Sequence, residues 1–188
     1  RFFRHVGTGN YGLVDMRFYS VDSLKARSRE MRACDGLIVD LRDGIGIGDK
    51  RELGEFFLPW PTIAAKFAVA DWTMPGRFTY ITPHVFGDKN ARHYKGKLVI
   101  MVDASTQSSL EYTAMVLASA PRAIVVGSQT AGADGDIKRL PLPGNGVLTF
   151  TGLAVFYPDG GVTQRTGLRI AKVVNATRKS LNSDQPDE

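Results

Sequence analysis

The chain is poor in cysteine, in long apolar runs and in clustered charge, and each shortage removes a class of protein. Cys34 is the sole cysteine. No intrachain disulfide or thiolate metal centre can therefore form, and the apolar flank from Cys34 to Val39 marks it as a small core residue. No apolar run reaches the roughly 18 residues of a membrane span. The start, Arg1-Phe2-Phe3-Arg4, has neither an initiator methionine nor a signal-peptide pattern, so the chain reads as a segment of something longer. The 24 basic residues exceed the 19 acidic ones by five, but both signs are scattered. Without a basic block interleaved with aromatics, no nucleic-acid partner is expected. No Lys-Ser/Thr pair follows a glycine loop and no GxGxxG occurs, so neither a nucleotide cofactor nor a metal is expected.

What is present suits one α/β domain over residues 1–188: the 43% hydrophobic content can bury one substantial core. Three runs, Gly36 to Leu41, Lys97 to Asp103 and Ala123 to Gly127, are continuously apolar with β-branched centres, the pattern of strands covered on both faces. Ser109 to Ser119 carries apolar residues at helical spacing, so strand, helix and strand form a βαβ unit, expected to cross over right-handed in a parallel sheet. Further helices are expected from Ser20 to about Ala33 and from Lys50 to Leu58, and a strand within residues 10–20. Residues 62–97 read as a lid or insertion, with strands at Ile63 to Val69 and Phe78 to Thr82 and with Phe67, Trp72, Phe78 and Tyr80 available to line a cleft. Gly146 to Phe156 reads as a hairpin beyond the sheet.

Chemistry gathers at the strand ends. Asp103-Ala104-Ser105-Thr106-Gln107-Ser108-Ser109-Leu110-Glu111 joins a buried strand to a helix, where free N–H groups and the positive dipole end favour an adjacent anion. A serine there can act as a nucleophile beside an oxyanion site. Ser108-x-x-Glu111 is also a capping box, and the two roles are compatible. Glycines 44, 46 and 48 after another buried strand let backbone N–H groups approach a ligand, and a third glycine-rich turn, Gly127 to Asp136, follows the third strand. His5 reads as part of an unsettled entry segment, and His84 and His93 as surface-loop residues.

In this order the segments resemble the S41 family of tail-specific (C-terminal processing) serine peptidases. Gly36 to Arg42 resembles the strand leading to the family's glycine loop, Lys97 to Glu111 its strand, serine motif and trailing glutamate, and Gly127 to Gly135 the segment that follows. Val155 to Gly160 with Gln164 to Gly167 resembles its closing turn. The resemblance implies a ClpP/crotonase-like spiral of ββα units with a β-hairpin insertion, peptide-bond hydrolysis on a polypeptide substrate, and a periplasmic, envelope or secreted location. It places Ser108 as nucleophile, with the Ser109 N–H and a glycine of the 44–48 loop, Gly46, as oxyanion donors.

The family's usual base, a lysine, has Ala133 in its place, and Lys138 lies further on. A tricorn-like branch uses a histidine on the first strand, where Asp15 stands. Asp15 and Glu111, raised in pKa by burial, are the bases expected on these grounds. A module that keeps the fold and binds a peptide or apolar ligand, as retinoid-binding relatives of the family suggest, is the alternative that Ala133 motivates. An acyl-CoA enzyme of the crotonase type is a third.

Overall fold

The computed structural model describes residues 1–44, 46, 48–71 and 73–175. The strands in chain order are β1 (Phe3–Val6), β2 (Tyr11–Asp15), β3 (Gly36–Asp40), β4 (Thr62–Ile63), β5 (Lys66–Ala70), β6 (Phe78–Ile81), β7 (Val85–Phe86), β8 (Lys97–Val102), β9 (Ala123–Gly127), β10 (Ile137–Pro141), β11 (Val147–Thr151), β12 (Leu153–Phe156) and β13 (Lys172–Val173). The α-helices are α1 (Val21–Ala33), α2 (Arg51–Phe57) and α3 (Ser109–Ala118).

Six strands form the main sheet in the order β1-β2-β3-β8-β9-β13. Only the β1–β2 pair is antiparallel; the others run parallel. The continuously apolar runs form its central strands, but the expected cover is complete on one face only: on the other, Ile38, Val99, Met101 and Val126 are half-buried and Ile124 is exposed. Leu37 and Val39 of β3 and Leu98, Ile100 and Val102 of β8 are buried in one cluster with Leu110, Ala114 and Leu117 of α3. α1 is started by Ser20, whose hydroxyl accepts the Ser23 N–H at 3.0 Å.

A smaller antiparallel sheet, β12-β5-β6, and the short β4–β7 pair stand beside the main sheet. Two expectations need correction. The hairpin is β10–β11, with Ile137 opposite Thr151 and Pro141 opposite Val147, whereas Leu153–Phe156 joins β5. The entry segment around His5 is an ordered edge strand, β1, with the His5 ring edge-on to Phe3. Trp72 and the polar terminus at 182–188 lie outside the described residues.

Candidate active site

The parallel register brings the carboxyl ends of β3, β8 and β9 to one edge. Hydrogen bonds then stitch their loops together. Ser105 Oγ accepts the Asp43 N–H at 2.8 Å and is itself held by Asp103 Oδ1 at 2.5 Å. Buried Thr106 donates its hydroxyl to the Leu41 carbonyl at 3.3 Å, and its own carbonyl accepts the Ala131 N–H at 3.1 Å. The turn ahead of α3 is thus fixed from both sides before the serines begin.

Ser108 is the N-cap of α3 and has φ 51° and ψ −118°. A side chain in this left-handed region is strained by about 1–3 kcal/mol and persists only where its surroundings hold it. Glu111 supplies that hold. Its carboxylate is fully buried. Oε1 accepts from Thr130 Oγ1 at 2.6 Å and the Gly132 N–H at 3.0 Å; Oε2 accepts from the Ala133 N–H at 3.0 Å and the Ser108 N–H at 3.2 Å. One carboxylate therefore ties the loop after β9 to the first turn of α3, near the helix end where negative charge is favoured. Gly132 takes part with φ +60°, and a Cβ there would meet the Gly167 backbone at 2.8 Å.

Ser108 and Ser109 border two neighbouring cavities. The larger, about 620 Å³, is walled by Phe67, Ile81, Phe86, Tyr112, Leu153 and Val155, and His84, Lys50 and Asp134 also line it. The other, about 450 Å³, is lined by Gly44, Gly46, Gln107, Ala133, Ile137 and Gln164 among others, and shares Asp134, Gly135 and Asp136 with the first. Gly46 stands beside the serines: a Cβ built on it would lie 3.5 Å from Ser109 Cβ.

Two buried titratable groups face the larger cavity. Lys50, only 6% exposed, donates from Nζ to Ser109 Oγ at 2.9 Å and lies 5.1 Å from the centre of the Tyr112 ring. Burial brings its ammonium down to about 8 against the pull of Asp134 and Asp49. Asp134 is pushed up to about 6, mainly by burial, although the Gly135 N–H and the Thr163 hydroxyl at 3.0 Å bind its carboxylate.

The other residues singled out in the sequence lie elsewhere or play different parts. Asp15, at the end of β2, is gripped by Arg17 through Nε at 2.9 Å and Nη2 at 2.7 Å, which holds its carboxyl below the usual range. It lines neither cavity. Asp40, its register partner on β3, makes the same corner with Arg42. Lys138 pairs with Asp136 at 2.7 Å on the exposed hairpin. His93 Nδ1 bonds the Asn90 carbonyl at 2.7 Å. Phe67 lines the larger cavity, whereas Phe78 and Tyr80 are exposed and do not.

Sequence reasoning missed Lys50, Asp134 and His84 as cleft residues. Lys50 did carry a signal: it is the N-cap of α2, at the helix end where a cation is disfavoured. Asp134 and His84 carried none that separates them from turn residues.

A serine at a helix start on the carboxyl edge of a parallel sheet has the free N–H groups beside it that acyl-transfer chemistry requires. The model of peptidase family S41 matches residues 10–171, and the chain belongs to that family. No curated protein sequence matches it. Among solved structures, one from Parabacteroides merdae ATCC 43184 superposes with a TM-score of 0.83 at 18% identity, over 95% of this chain and 58% of that one. The photosystem II D1 C-terminal processing protease gives 0.65 at 16% identity, over 88% and 42%. Mature CPAF complexed with lactacystin gives 0.69 at 14% identity, over 87% and 47%. These likenesses show a shared fold, and the chain spans about half the length of the structures it matches.

Proposed function

We propose that this domain is the catalytic part of a serine peptidase that hydrolyses polypeptides, near their C-terminal tails, through an acyl-enzyme on Ser108. The observation that carries the reading is the placing of Ser108: a strained helix cap, held by Glu111, between two cavities that together make room for chain on either side of a scissile bond. The Ser109 and Gly46 N–H groups serve as oxyanion donors, an arrangement supported by their proximity at the start of α3. Glu111 acts as a positioning residue, since its four hydrogen bonds are spent on the loop and on the Ser108 N–H. Asp15 serves the corner with Arg17. The apolar wall of Phe67, Phe86, Leu153 and Val155 suits an apolar substrate side chain. Action in the periplasm, the envelope or outside the cell belongs to the same proposal and rests on the family.

The test is covalent labelling with a fluorophosphonate, read by peptide mass spectrometry beside Ser108→Ala. Labelling confined to Ser108 is expected. A folded protein that takes no label sinks the reading and favours a binding module, for which Ala133, in the place of the family's lysine, is the supporting feature.

A further inference from the structure

The geometry points to Lys50 as the terminal proton acceptor of this site, reached from Ser108 through the hydroxyl of Ser109. This assignment rests on the peptidase reading and names the part which that reading lacks.

Three observations carry it. Lys50 is almost wholly buried at the mouth of α2, yet its Nζ is delivered to the cavity that Ser108 borders. Its Nζ meets Ser109 Oγ at 2.9 Å, and the same distance serves a neutral amine accepting from a serine hydroxyl. Ser109 follows Ser108 directly in the first turn of α3, so the nucleophile and the lysine's partner enter the cleft on one rigid element. A buried lysine is costly to keep charged, and its neutral form is a base. The groups facing it are Asp49 on its own loop, Asp134 and Asp136 from the loop after β9, Tyr112 of α3 and His84 from the segment before β7. The two nearest in effect, Asp134 and Asp49, pull the ammonium back up, so its value of about 8 already includes them.

The step balances as follows. Ser108 Oγ bonds to the scissile carbonyl carbon, its proton passes to Ser109 Oγ, and the Ser109 proton passes to the neutral Nζ of Lys50. The negative charge develops on the carbonyl oxygen beside the Ser109 and Gly46 N–H groups. As the C–N bond breaks, the proton returns along the same path to the leaving amine. Water then attacks the ester carbon and gives its proton to Lys50. That proton goes back to Ser108 Oγ as the ester C–O bond breaks, and a carboxylic acid leaves.

The experiment follows the rate of fluorophosphonate labelling at Ser108 from pH 5 to 10 in the wild type, Lys50→Gln, Lys50→Arg, Ser109→Ala and His84→Gln, each checked for folding by circular dichroism. The wild-type rate is expected to rise with pH through a midpoint near 8. Loss of base catalysis is worth about 10²- to 10⁴-fold, so Lys50→Gln and Lys50→Arg, neither of which can accept the proton, are expected to fall by at least about 100-fold and to lose the midpoint. Ser109→Ala is expected to fall by at least about tenfold, and His84→Gln, whatever its rate, to keep the midpoint near 8. A wild type that labels while Lys50→Gln labels equally fast, or a midpoint that vanishes with His84 instead, overturns the assignment and leaves the peptidase reading standing. A wild-type midpoint clearly below 7 overturns it as well, even if the lysine variants do not fold. A folded wild type that takes no label ends both.

Discussion

Two loops reach Ser108 from the strands on either side of β8, and they are built on opposite plans. The loop after β9 is organised around a buried carboxylate whose acceptor capacity is filled by Thr130, Gly132, Ala133 and Ser108, and the residue it presents at position 133 has no chemistry. The loop after β3 ends in a buried lysine against a serine hydroxyl, in an environment that works against its charge. The first loop is a clamp and the second holds the reactive group. In this chain the framework that shapes the serine and the group able to take its proton come from different strands.

That division predicts opposite responses to mutation. The largest effect is expected at Glu111. Glu111→Gln turns an acceptor oxygen into a donor facing N–H groups, and should cost about 2–4 kcal/mol in urea unfolding. If it is instead tolerated within a few tenths, the loop is not a clamp. Lys50→Met should do the reverse, raising stability at pH 7 by about 1–3 kcal/mol while labelling of Ser108 collapses. The sign follows from linkage: a lysine whose folded value is depressed from 10.5 to about 8 contributes its stability above 10.5 and loses it as pH falls through 8. The advantage of the methionine variant should therefore disappear near pH 10. Next comes Ala133→Lys in a Lys50→Gln background. Ala133 is exposed and lines the smaller cavity with Ser108, so a lysine there should restore labelling by about tenfold. No recovery would mean that the clamp loop cannot present a base. The smallest effect is expected from Asp15→Asn, with labelling within about threefold of wild type and less than about 1 kcal/mol lost with the Arg17 pair, whose arginine is half exposed.

The central strands and α3 were legible because their apolar residues run without a break, as in Leu98 to Val102 and Ala123 to Val126, even though alternate residues of both strands are only half-buried or, at Ile124, exposed. The hairpin was misplaced because β10 and β11 are exposed throughout and so carry no inward and outward alternation to read. The serine motif could be located through the order of segments it shares with the S41 family; on spacing alone Ser108-x-x-Glu111 reads first as the capping box that it also is. Lys50 gave only the faint signal of a cation at a helix start, and such a lysine reads as solvated until the Tyr112 ring and the cleft wall are brought over it. Asp134 is like Lys50 in this: its chemistry is set by burial that only tertiary packing supplies.

The adjacency of β3 and β8 also bears on when activity can first arise. Ser108 and Lys50 meet only after the chain from Asp40 to Lys97 has closed on itself as a crossover. Such a closure comes late for entropic reasons and slows folding. A partly folded chain would hold each group without the other. On the proposed reading, a newly made chain whose β3–β8 pairing is still unmade would be inert toward its neighbours.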